Sequence, residues 1–179
     1  MTPAVRPAPS VEPARHLLDA AAPWWDLVCF GPPGHEVYLR VRFDVEDEQV
    51  RTERRVLEVL AEHTTTPGRC WAAVWEGWTS RGTRPAAPVV DVPERRMLLF
   101  EASVDALHDL PSVAWRQAPY GNGPGPHLAW PDDRAWTFAC DVDEEDELTV
   151  GCARAAADAL VVAFGSQARI VAYGEDLST

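Results

Sequence analysis

The sequence predicts an α+β domain: two layers, with helices packed on one face of a mixed, mainly antiparallel sheet. Three observations carry this. Val37, Leu39, Val41 and Phe43 alternate with polar or aromatic neighbours across Glu36 to Phe43, the period of a strand with one buried face. Two longer segments place apolar residues at helical spacing: the charged stretch that ends near Glu62, and Thr149 to Phe164. The order of elements is helix, two strands, helix, two strands, an irregular region, strand, helix, strand, which lacks the strict alternation of a doubly wound parallel fold.

The elements follow in chain order. Residues 1–9 hold three prolines and no apolar period, and read as a flexible tail ahead of a single domain over residues 10–179. Ser10 can cap a helix with Ala14, Leu17, Leu18 and Ala21 on its apolar face, ending before Pro23. Leu27 to Phe30 reads as a short buried strand stopped by Gly31-Pro32-Pro33-Gly34, forming a hairpin with Glu36 to Phe43. Asp44 or Asp47 can cap the next helix, with Val50, Val56, Leu57 and Leu60 as its core stripe. Cys70 to Trp78 is a strand by its aromatic and β-branched content, and Arg81 to Pro88 a loop. Met97 to Phe100 is a buried strand, followed by a helical turn over Val104 to Leu110. The eight residues from Pro119 to Pro126 are nearly all Gly and Pro, and continue neither helix nor strand. Ala135 to Cys140 is a strand, Thr149 to Phe164 a helix ended by Gly165, and Arg169 to Tyr173 a last strand.

Composition narrows the function. The chain has 179 residues, 16 Lys+Arg, 28 Asp+Glu and a net charge of −12. That excess of negative charge argues against phosphate backbones and anionic membranes as partners. The length fits one domain of about 150 residues. No stretch reaches the roughly 20 apolar residues of a membrane span, and no apolar signal core lies near the N-terminus, so a cytoplasmic location is expected. Cys29, Cys70, Cys140 and Cys152 lack the spacing of a zinc or redox motif and read as buried free thiols. Every cation is Arg, and there is a single Asn and a single Ile, the signature of a GC-rich codon bias. Without Lys, a phosphate loop ending in Gly-Lys and Schiff-base chemistry are both excluded. The glycines between Gly121 and Gly125 do not open a helix, so a dinucleotide fingerprint is not expected.

Four features remain as candidates. Six acidic residues lie between Asp141 and Glu147, a run that lacks the Gly and Glu positions of a calcium loop. It reads either as a solvated turn or as a patch for a basic protein partner. His127 stands near Asp132 and Asp133, so a His/Asp acid–base pair of a small hydrolase is conceivable, with its geometry as the test. The eight Trp are as many as the five Phe and three Tyr together. Trp75, Trp78, Trp130 and Trp136 read as core or as the wall of a groove, with Glu76, Arg69 and Arg134 as polar fixers. In the Trp130-Pro131-Asp132-Asp133-Arg134 turn, an aspartate can cap backbone N–H groups while Arg134 lies on an indole. No metal site and no cofactor are expected.

The stretches His63-Thr64-Thr65-Thr66-Pro67, Trp75-Glu76-Gly77-Trp78 and Trp130-Pro131-Asp132-Asp133-Arg134-Ala135-Trp136 resemble a group of uncharacterised actinobacterial proteins of similar length. The resemblance spans roughly Val28 to Leu160 and implies an intact single domain. It implies no activity, cofactor or catalytic residue. The two functional readings are therefore a non-catalytic module binding a basic protein through an acidic patch and a Trp-rich groove, and a hydrolase built on His127.

Overall fold

The computed structural model describes residues 5–43, 46–77, 86–109, 125–144 and 146–176. Among these residues nine strands form one sheet in which every pairing is antiparallel. They are β1 (Arg6–Pro7), β2 (Val37–Arg42), β3 (Cys70–Trp75), β4 (Val89–Val92), β5 (Arg95–Ala102), β6 (Leu128–Pro131), β7 (Trp136–Ala139), β8 (Glu147–Cys152) and β9 (Ala168–Val171). The spatial order is β1-β5-β3-β6-β7-β8-β2-β9, with β4 also on β5. Among the described residues four α-helices accompany it: α1 (Arg15–Leu18), α2 (Trp24–Phe30), α3 (Glu46–Ala61) and α4 (Arg154–Phe164). The α+β class is as the sequence predicts.

Alternation along the strands builds two apolar layers. Leu39, Val41, Ala72, Val74, Leu98, Phe138 and Val150 point to one face, where Val56, Leu57 and Leu60 of α3 and Ala157, Leu160 and Phe164 of α4 cover them. Trp71, Ala73, Met97, Leu99, Leu128, Trp130 and Ala139 point to the other face, under Ala14 and Leu17 and under Val28, Cys29 and Phe30 of α2. The two long helices thus share one face as expected, and the N-terminal segment adds a cover on the second.

That cover corrects the reading of residues 1–9 as a tail. Ala8 is buried and its N–H donates to Leu99 O at 3.0 Å, while Arg6 holds Glu101 through Nη2 (2.9 Å) and Nε (3.2 Å). Residues 1–4 lie outside the described residues.

Three segments differ from expectation for identifiable reasons. Leu27 to Phe30 is the end of helix α2, not a strand. Pro23 stands at its N-cap and Gly31, at φ 75°, accepts the chain beyond it, with Gly31 N–H on Leu27 O. Gly31 is also required sterically, since a Cβ there would lie 2.5 Å from Thr137 Cγ2. The start of the predicted last helix, Thr149 to Cys152, is strand β8, which gains ladder bonds from β2 on one side and β7 on the other. Helix α4 begins only at Arg154, whose N–H donates to Glu36 Oε2 at 2.9 Å. Helix α3 starts at Glu46, so Asp47 sits inside its first turn; Asp44 lies outside the described residues, and Val50 is exposed instead of core. Strands β4, β6 and β8 complete the sheet, β4 and β5 meeting at a Pro93-Glu94 turn with Glu94 at φ 62°.

All four cysteines are buried free thiols, and desolvation raises each, Cys70 and Cys152 to about 12. A thiol-specific disulfide reagent at neutral pH is expected to modify none of them in the native protein and all of them after denaturation. Rapid reaction of any thiol in the native state would contradict the packing.

Candidate functional site

Polar residues gather at the two ends of the sheet, because both faces are apolar. At one end, the turn between β6 and β7 is clasped to the turn after α3. Asp133 accepts from Thr65 N–H and Thr65 Oγ1, both at 2.7 Å, and from Thr64 Oγ1 at 2.9 Å and Ala135 N–H at 3.1 Å. Its own N–H donates to Thr66 Oγ1 at 3.1 Å. Partial burial pushes the Asp133 carboxyl up, but the donors from Thr65, Ala135 and Thr64 outweigh it and hold the group below its ordinary value. The stretch from His63 to Pro67 and the turn from Trp130 to Trp136 therefore bind one another.

Beside the clasp, Trp71 Nε1–H donates to Asp132 Oδ1 at 2.9 Å. Arg69 lies 5.0 Å from the Trp71 ring centre, 3.7 Å from Asp132 Oδ2 and 3.5 Å from Glu101 Oε1. The cation on an indole next to the aspartate is thus Arg69. Arg134, the residue expected there, instead occupies the turn with φ 56° and donates its N–H to Pro131 O.

The His127–aspartate pair does not form. Five residues of extended chain separate His127 from Asp132, about 16 Å at the strand rise. His127 is 2% exposed, and its Nδ1 accepts from Trp75 N–H at 3.0 Å, which places the proton of the neutral ring on Nε2. Desolvation lowers its pKa to about 4, against the pull of Asp141 and with a further push from Arg95. A general base needs its acceptor nitrogen free, and here that nitrogen is committed to the backbone.

The tryptophans divide. Trp130 and Trp136 are core residues on opposite faces; Trp136 Nε1–H donates to Leu60 O at 3.0 Å, and Trp130 packs edge-on against His16 at 5.1 Å. Trp75 is half-buried and Glu76 pairs with Arg96 at 2.9 Å. Trp78 lies outside the described residues, as does most of the Gly/Pro segment before Gly125.

The far end of the sheet holds an assembly centred on Arg95, a residue with no signal in the sequence beyond its place after a proline turn. Its guanidinium lies 5.5 Å from the Trp24 ring and 5.6 Å from the Trp75 ring. It donates to both oxygens of buried Asp141, at 3.1 and 3.2 Å, and to Asp143. Glu144 and Glu147 are paired in turn with Arg40, and Glu147 also with Arg169. Arginine therefore neutralises most of the acidic run, and the single coherent negative patch expected of it is not formed among the described residues. On the opposite face at this end, buried Glu53 accepts from Gly125 N–H at 3.1 Å and Gln49 Nε2 at 3.0 Å, and desolvation raises its carboxyl to about 7.

Among the described residues no three His, Cys, Asp or Glu side chains are grouped to hold a metal ion, and no helix is long and apolar enough to cross a membrane. The chain matches no protein-family model, no curated protein and no solved structure.

Two measurements check this geometry. Asp133→Asn is expected to destabilise the protein by about 1–2 kcal/mol in neutral urea unfolding, since carboxylate hydrogen bonds weaken to amide ones. A lowered folded pKa means that the Asp133 contribution is full above the ordinary aspartate range and is lost as pH falls through the lower folded value. The deficit of the variant should therefore shrink in acid. For His127, the ring proton resonances followed by NMR should show a neutral imidazole down to about pH 5; titration near the ordinary histidine value would place the ring in solvent.

Proposed function

We propose that the protein is a non-catalytic binding module that engages a basic protein partner at the sheet end where Trp24 and Trp75 flank Arg95 and Trp25 stands against Trp24. The observation that carries this reading is indole left in contact with solvent there. Trp25 is 36% exposed and stands edge-on to Trp24 at 5.4 Å, while Trp24 and Trp75 are half-buried against the Arg95 guanidinium. Large aromatic side chains held in place beside a fixed Arg are the groups that dominate interface energies. Exposed Glu94 stands next to Arg95, and Asp143 shares Arg95 with Asp141, so the cluster is net negative and favours a positively charged partner and speeds its encounter. The net charge of −12 acts in the same direction and against nucleic acid or membrane as partner. Four unpaired thiols suit the reducing cytoplasm, where we place the protein.

Co-purification from the native host tests the reading. A basic protein is expected at one-to-one stoichiometry with the wild type, and about tenfold less of it with Trp25→Ala, a loss of about 1.4 kcal/mol, at an unchanged circular dichroism spectrum. Recovery unaffected by Trp25→Ala, or no stoichiometric partner, would overturn it.

A further inference from the structure

The two edges of the sheet are finished differently. At one, β1 and β4 lie end to end along β5. They carry Pro7, flanking Pro88 and Pro93, and exposed Asp91, groups that withhold a backbone donor or place a charge where another strand would pair. At the other edge β9 is last in the order, with β2 as its strand neighbour, and no proline follows Pro131 in the sequence.

The hydrogen-bond pattern shows which backbone groups this second edge leaves open. Phe43 N–H donates to Asp146 O at 2.7 Å, which continues the β2–β8 register and fixes the alternation: odd-numbered residues of β2 bond to β8 and even-numbered ones to β9. Arg42 O, which accepts from Gln167 Nε2, agrees. Tyr38 and Arg40 therefore engage Val171 and Arg169, and the N–H and C=O of Ile170 point away from the sheet. The positions on either side are already bonded. Ala168 N–H donates to Gly165 O, Ala172 N–H to Glu175 Oε2 at 3.2 Å, and Glu175 N–H to Ala172 O at 3.2 Å. Among the described residues of this edge, Ile170 thus has both its donor and its acceptor open. Its side chain lies across from Leu39, on the face that α3 and α4 cover, and is 54% exposed. Val161 and Val162 of α4, which packs on β2 and β9, are exposed as well.

We propose that β9 is the contact between two copies of this chain, paired antiparallel about a two-fold axis at Ile170 so that the two sheets become one. Identical residues facing each other across such an axis exchange two N–H···O=C bonds, which uses the open donor and the open acceptor of each copy. A longer foreign strand would find the positions on either side already bonded. The same register sets Arg169 of each copy beside Val171 of the other, toward the turn that carries the other copy's Glu175. Arg169 and Glu175 are both partly exposed and pair at 2.8 Å within a copy, so the two pairs meet with opposite charges facing. The net charge of −12 on each copy opposes association at long range, which makes the pairing depend on concentration.

Sedimentation equilibrium and residue-resolved hydrogen exchange by NMR test the pairing on the full chain. The mass is expected to rise from 19.8 kDa toward twice that value between about 1 µM and about 1 mM protein. Over the same range the Ile170 amide should gain about tenfold or more in protection, while Arg169 and Val171, bonded to β2, stay equally protected throughout. Ile170→Lys, at an exposed position, leaves the fold intact and sets two like charges across the axis, so it should remain at 19.8 kDa at every concentration. A wild type that stays at 19.8 kDa at about 1 mM, or a dimer that Ile170→Lys preserves, would overturn the proposal. So would a dimer whose Ile170 amide stays unprotected, since the contact would then lie elsewhere.

Discussion

The sheet has two apolar faces, and the remaining structure answers to that. Side chains alternate along β3 and β5 between Ala72, Val74, Leu98 and Phe100 on one side and Trp71, Ala73, Met97 and Leu99 on the other, all buried. Helices α3 and α4 cover one face. The second needs the N-terminal segment, which is why residues as early as Ala8 are packed and why two short helices precede the first long strand. Once both faces are committed to burial, charged groups can reach water only at the sheet ends.

The two ends use their polar groups differently. At one, Asp133 is saturated by threonine and backbone donors, and Thr64, Thr65 and Thr66 join the segment after α3 to the β6–β7 turn. Local carboxylate-to-backbone bonds of this kind fix a turn without needing a counterion. At the other, carboxylates face arginines, and desolvation sets their behaviour. The Arg95–Asp141 pair has both oxygens and a two-donor fork engaged, so it is well satisfied; the Arg40 pairing is shared and leaves polar atoms over. Aromatic surface that reaches solvent also lies at this second end.

Long periodic segments were legible from the sequence alone. Strand β2, helix α3, strands β3, β5 and β7 and the later part of α4 follow from alternation or helical stripes. Short apolar runs were not: Leu27 to Phe30 and Thr149 to Cys152 fit either period, and only the flanking Pro23 and Gly31 in one case, and strand neighbours on both sides in the other, settle them. The β4–β5 hairpin was hidden because Pro93-Glu94 carries no glycine, although proline followed by a residue at positive φ suits a type II turn. In the site, an aspartate cap on the turn is legible and Asp133 fills that role, whereas it is Arg69 and not Arg134 that lies on an indole there, because the β3–β6 pairing sets Arg69 beside Trp71 and Asp132. Arg95, Arg40 and Trp24 meet the acidic run through long-range pairing, which no local pattern encodes. The charge of the run, read locally, therefore overstated its exposure.

A variant beginning at Pro23 tests the two-faced sheet most directly, by calorimetry and binding of a hydrophobic dye. Loss of residues 1–22 uncovers Trp71, Met97, Leu99 and Trp130, so the variant should bind the dye and lose its cooperative thermal transition. A cooperative transition at the wild-type temperature without dye binding would contradict a structure in which the N-terminal segment is half of the core's cover.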